Sequence, residues 1–109
     1  MDNVEYLVIL VTTPSIDEAQ AITQLLLEQR RAACVNIIPK VSSSFWWRNR
    51  IDSATENLLI IKSKASQLQE IINLIKESHS YEVPEIIALP IINGNRAYLD
   101  WLDSSLASG

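Results

Sequence analysis

The chain has 109 residues, 48% of them hydrophobic, which is enough for one domain with a real core, residues 1–109, and too little for two. Its 13 acidic side chains against 9 basic ones leave a net charge of −4, which argues against nucleic acid as a partner, since a phosphate backbone selects a basic face. The longest apolar runs, 6–11 and 58–61, are far short of a bilayer span and the amino end has no basic-then-apolar pattern, so a cytoplasmic protein without membrane contact is expected.

Residues 5–12 read as an unbroken apolar strand. Pro14 closes it, and Ser15 with Glu18 makes a capping box that opens a helix whose inner face is Ala19, Ile22 and Leu26. That helix fades near residues 30–31. Residues 33–47 are β-like, interrupted by Pro39, and Arg48, Asn49 and Arg50 turn the chain back at Ile51 into a hairpin. A second fully apolar strand covers 57–63. Ser66 with Gln69 is expected to cap a second helix bearing Leu68, Ile71, Ile72 and Ile75, with His79 at its end. A fourth strand follows over 85–92, and Asn93-Gly94-Asn95 turns the chain. Asn95 then caps a short closing helix carrying Tyr98, Leu99, Trp101, Leu102 and Leu106.

The order βαββαβ predicts an α+β, ferredoxin-like sandwich with a long hairpin between its second and third strands and an added C-terminal helix. In that arrangement strands one and three are central and strands two and four are edges. The residues agree: the two unbroken apolar strands take the central places, while Pro39 and Pro90, each of which deletes a ladder hydrogen bond, fall at the edges.

Two physical arguments say that a single chain is incomplete. Both helices cover one face of such a sheet, yet residues 7–11 and 58–61 send large apolar side chains to both faces, because successive strand residues alternate. Residues 33–47, extended at ~3.3 Å each, would also reach about 50 Å, whereas a compact domain of this size has a radius of gyration of about 13 Å. The hairpin must bend back or protrude. Trp46 and Trp47 face opposite sides of it, so a solitary hairpin buries only one of them, and a neighbouring subunit is the natural cover for Phe45, Trp46 and Trp47. The alternative is a bend at Pro39 that folds the hairpin back, with the last helix over the open face.

Polar and aromatic groups concentrate in His79-Ser80-Tyr81-Glu82-Val83-Pro84-Glu85, at the join between a helix and a strand, where a rigid scaffold fixes side chains that a loop leaves open. His79 is the only histidine and Cys34 the only cysteine, so an intrachain disulfide is excluded. With two glycines, Gly94 and Gly109, there is no phosphate-cradling loop or dinucleotide fingerprint, and no organic cofactor is expected. No Gly-x-Ser-x-Gly elbow presents a nucleophile to His79, and one histidine beside Tyr81 and Glu82 is a weak basis for proton-transfer chemistry, so the chain reads as no enzyme.

Several ordered blocks resemble the divalent-cation tolerance proteins called CutA: residues 31–39 (RAACVNIIP), Phe45-Trp46-Trp47, residues 59–62 (LIIK), residues 81–91 (YEVPEIIALPI) and residues 98–102 (YLDWL). The resemblance runs nearly the whole length. It implies a ferredoxin-like subunit of a tight, PII-like homotrimer in which the long hairpin embraces a neighbour. This chain departs from the family pattern at Lys40 and Asn49, where glycine is usual, at Ser80, where proline is usual, and at Val11, where some relatives carry a cysteine.

The resemblance also implies tolerance to divalent metals and weak copper binding, with His79 and Cys34 as ligand candidates, both competent copper donors. Against this, Cys34 reads more readily as a small buried hydrophobe, and His79 reads equally as a ring bonded to the last carbonyls of its helix. One imidazole and one thiol are too few for a closed four-ligand site, so binding would draw on carboxylates such as Glu82 or Glu85, or on other subunits. A second reading, by fold analogy with PII proteins, is a signalling module that holds a small polar or anionic effector in clefts between subunits. Lys62, Tyr81, Glu82, Glu85 and Trp47, with His79, would line such a cleft, and Lys62 would hold the anion.

Overall fold

The computed structural model describes residues 6–107. Its elements are β1 (Tyr6–Thr13), α1 (Ile16–Glu28), β2 (Cys34–Trp47), β3 (Arg50–Lys64), α2 (Ala65–Ser78), β4 (Ile86–Pro90) and α3 (Arg96–Ser105). Glu5, where the first strand is expected to start, lies outside the described residues. The sheet is antiparallel in the order β2-β3-β1-β4, so the two apolar strands are central and Pro39 and Pro90 sit on edges.

Alternation along the central strands divides their side chains cleanly. Leu7, Ile9 and Val11 of β1 and Leu59 and Ile61 of β3 are buried under α1 and α2, against Ala19, Ile22, Leu26, Ile71 and Ile75. The opposite set is only partly covered: Leu10, Leu58 and Ile60 are half-buried, while Ile38, Ile87 and Leu89 remain 44%, 51% and 48% exposed. The closing helix α3 crosses one end of this face. Arg96 Nη2 donates to the Tyr6 hydroxyl at 3.2 Å, Lys64 pairs with Asp103, and Tyr98 lies beside Cys34. Beyond that end the apolar face is open, as expected of a short helix on a four-stranded sheet.

The hairpin protrudes rather than folding back. β2 runs through Pro39 by means of a bulge between Ile38 and Val41, where Lys40 takes the left-handed conformation (φ 61°) that glycine would adopt without cost. Arg48 and Asn49, both at positive φ, form a two-residue turn, and Trp47 pairs with Arg50 across it. Asn tolerates this backbone well; Arg48 does so at a cost of about 1–2 kcal/mol. The extents of 44 × 26 × 22 Å and radius of gyration of 14.6 Å exceed those of a compact chain of this length, and the projecting hairpin is the reason.

Four element ends differ from expectation. The return arm of the hairpin and the apolar strand expected over 57–63 are one continuous strand, β3, which starts at Arg50. The α1 cap forms only its first half: Ser15 Oγ accepts from the Glu18 N–H at 3.1 Å, but the Glu18 carboxylate turns away toward residues 79–80. The second helix starts at Ala65, with Lys64 as its N-cap and no side-chain cap, because β3 stays paired to β1 through Lys64 and leaves no loop for Ser66 to cap; Gln69 bonds Asn73 instead. β4 is shorter than 85–92, so Glu85 stays outside the sheet. At the end of α1, Arg30 at φ 55° closes the helix, with Arg30 N–H donating to the Leu27 carbonyl and Arg31 N–H to that of Leu26, a terminator normally built on glycine.

Candidate functional site

His79 caps the end of α2, and its side chain is fully buried against the end of β1. Its Nε2–H donates to the Thr12 carbonyl at 2.7 Å, and Nδ1 accepts the Tyr81 N–H at 2.9 Å. The ring therefore reaches across to another element instead of bonding the last carbonyls of its own helix. Beyond Val11, where β4 stops pairing, His79 takes up the edge of β1. Glu18 Oε2 accepts the Ser80 N–H at 3.0 Å and stands 3.1 Å from Nδ1. Glu18 escaped the sequence reading because its spacing from Ser15 fits a capping box. The Ser80 N–H that it binds is a donor that proline at this position would lack.

The same segment forms one wall of a concave space of about 820 Å³, whose other wall is the hairpin. Trp47, Tyr81, Glu82 and Glu85 line it together, with Phe45, Ser42, Ser43, Ser44, Asp52 and Glu56. Register pairs Val41 with Glu56, Phe45 with Asp52 and Trp47 with Arg50, so Phe45, Trp47, Asp52 and Glu56 belong to one face of the hairpin, and Trp46 with Ile51 to the other. Trp46 is 71% exposed and Trp47 52%.

Tyr81 ties the two walls together. Its hydroxyl donates to Glu56 Oε2 at 2.9 Å, and its ring lies 5.0 Å from that of His79. Burial first, then the hydrogen bond to Glu56 and the nearby charges of Glu56 and Glu18, push the phenol up from 10.0 to about 12. The neutral phenol is thus the folded-state form, and its contribution to stability is whole below about pH 10 and is lost as pH rises through about 12. Absorbance titration of phenolate should show one tyrosine ionising near pH 12, moving part of the way back toward 10 in Glu56→Leu; an unchanged titration in that variant would break the pairing.

Lys62 is not at this cleft. It pairs with Cys34 across β2 and β3, near the end of the open face that α3 crosses, and its Nζ donates to Asn36 Oδ1. Cys34 is half-buried, with Asn36 Oδ1 3.8 Å from its sulfur. Lys62 also pairs with Val8, whereas His79 meets Thr12, so Cys34 and His79 lie toward opposite ends of β1. Among the described residues no group of three or more His, Cys, Asp or Glu converges to hold a metal ion, so one chain by itself does not fit a closed metal centre.

The fold and the ordered blocks have counterparts in known proteins. The model of the CutA1 divalent ion tolerance protein family matches residues 7–105. This chain belongs to the CutA1 family. The curated divalent-cation tolerance protein CutA of Archaeoglobus fulgidus is 43% identical over 90% of this chain and 95% of that one. The rice protein CutA 1, described as chloroplastic, is 40% identical over 91% of this chain but only 56% of its own length. The solved CutA1 structure from Thermus thermophilus superposes with a TM-score of 0.92 at 41% identity, covering 94% of this chain and 99% of that one. A solved A. fulgidus structure is described as periplasmic, so CutA proteins are not tied to one compartment. In this member no helix among the described residues is long and apolar enough to cross a membrane.

Proposed function

We propose that this chain is the subunit of a non-catalytic, cytoplasmic homotrimer of the divalent-metal response that binds copper or other divalent cations weakly. The observation that carries the assembly is the open sheet face around Leu10, Leu58, Ile60 and Ile87 beside a protruding hairpin tipped with Phe45, Trp46 and Trp47. A monomer would leave this apolar surface in water. The family's name carries the metal response. Because Cys34 and His79 lie apart, each would bind a cation alone, and the buried His79 ring would first have to give up its Thr12 or Tyr81 bond, which is why affinity is low. Calorimetry of the metal-free protein with Cu²⁺ should show heat that shrinks in Cys34→Ser or in His79→Ala. Unchanged affinity in both removes both assignments.

A second reading, a PII-like module with a small effector in clefts between subunits, is favoured by one observation: Trp47, Tyr81, Glu82 and Glu85 share a single concave space. Within one chain Lys62 lines another part of the surface, so an anion held by it would require Lys62 to reach the cleft from a neighbouring subunit.

A further inference from the structure

The short loop between β4 and α3 holds the two groups of a backbone reaction side by side. Asn93 is the only asparagine of the chain that is followed by glycine. Both residues are exposed and lie outside any helix or strand. The Gly94 N–H donates to Asn93 Oδ1 at 2.8 Å, its one described hydrogen bond, so the side-chain amide is folded back onto the nitrogen that follows it. Those are the groups that close a succinimide ring, already in contact, with no ladder or helix bond to hold the nitrogen away.

The backbone does not itself demand glycine here. Gly94 φ lies outside the left-handed region, and a Cβ would meet only the Leu99 side chain, at an ordinary 3.7 Å. What the glycine supplies is an unshielded nitrogen. The loop is also remote from the hairpin tip that the proposed assembly covers. Ile91 N–H bonds the Tyr6 carbonyl, and Tyr6 pairs with Lys64, at the end of the sheet opposite to the Thr13–Asn57 end from which the hairpin projects.

We propose that Asn93 deamidates spontaneously and that its isoaspartyl product loosens the start of α3. Gly94 N attacks Asn93 Cγ, its proton passes to the departing amide nitrogen, and ammonia leaves as the ring closes. Water then opens the ring without change of oxidation state: attack at Cγ gives aspartate, and attack at the main-chain carbonyl carbon gives isoaspartate. Isoaspartate routes the main chain through an added methylene just ahead of the α3 cap, Asn95, whose Oδ1 accepts the Ala97 N–H and whose carbonyl accepts the Leu99 N–H, both at 3.0 Å.

The test ages the assembled protein at mildly alkaline pH beside a sample unfolded in guanidinium chloride, and maps peptides by mass spectrometry for replacement of NH by O. Asn93 should convert in the folded protein within about tenfold of its rate in the unfolded chain, because the folded turn already brings the reacting groups together. The other asparagines of the folded protein should stay intact over the same time. Gly94→Ala, which the space beside Leu99 admits, should slow conversion by about tenfold or more by crowding the attacking nitrogen. Amide exchange at residues 97 and 99 should be faster in the isoaspartate fraction than in unmodified protein. An Asn93 that converts on unfolding and is preserved in the folded state would make the turn protective and overturn the site, as would an unaltered rate in Gly94→Ala. Unaltered exchange in the isoaspartate fraction would remove the consequence for α3.

Discussion

An Ile60→Lys substitution should turn the proposed trimer into smaller species while leaving the subunit folded. Ile60 pairs with Leu10 and Asn36, and Leu10 pairs with Ile87, so Ile60 is at the centre of the row that crosses the open face. Within one chain the side chain is only half-buried, and lysine can run its stem along the sheet and leave its ammonium in water. Once a neighbour covers the face that escape closes, and a buried charge without a partner costs about 3–5 kcal/mol. In a closed trimer each subunit carries the substitution, so the penalty recurs at every copy. Light scattering at low micromolar concentration should report a reduced mass, and circular dichroism should report retained strand and helix content. A variant of unchanged mass would mean that this face is not where subunits meet. A parent protein found as a stable single chain would remove the assembly altogether.

The open face was legible in the sequence because it needs only alternation: residues 7–11 and 58–61 have no polar side, and strand geometry does the rest. The edge positions of Pro39 and Pro90 were legible for a similar reason, since proline's missing donor is a local property with one tertiary meaning. The candidate cleft was legible in part. Tyr81, Glu82 and Glu85 lie in one polar segment, and Trp47 follows from the resemblance, but Glu56 and Asp52 are scattered acidic residues in a hairpin strand whose twist and bulge decide what they face. Lys62 was expected in a cleft between subunits; within one chain it does not line the concave space, because alternation along β3 places it opposite Cys34. The start of α2 was misplaced for a different cause. Ser66 and Gln69 have the spacing of a cap, yet the strand's own pairing to β1 runs to Lys64, and tertiary hydrogen bonds overrode the local signal. Gln67, fully buried, accepts from Arg31 Nη1 at 2.9 Å and donates to the Ala107 carbonyl at 3.0 Å, a bridge between distant segments that no short-range pattern announces.

His79→Ala should be among the most destabilising single changes in the described structure, and the size of its effect bears on how metal binding is tested. The ring joins the Thr12 carbonyl to the Tyr81 N–H from a position with no solvent access. Alanine leaves an acceptor and a donor without partners, each costing about 1–3 kcal/mol when buried, and leaves a cavity where the ring was. A loss of about 2–5 kcal/mol follows, read as a lower midpoint in urea with the slope unchanged. Glu18 keeps its bond from Ser80, so Glu18→Gln should cost far less, which separates the ring's own contribution from that of its acidic neighbour. Copper heat lost in His79→Ala therefore counts for ligation only if the variant remains folded at the titration temperature. Cys34→Ser is less exposed to that difficulty, since the half-buried sulfur touches only the Asn36 amide at 3.8 Å and the Tyr98 hydroxyl of α3, and a serine hydroxyl can keep both partners. If His79→Ala instead unfolds within about 0.5 kcal/mol of the parent, the ring is not what fixes the segment from 79 to 85 against β1.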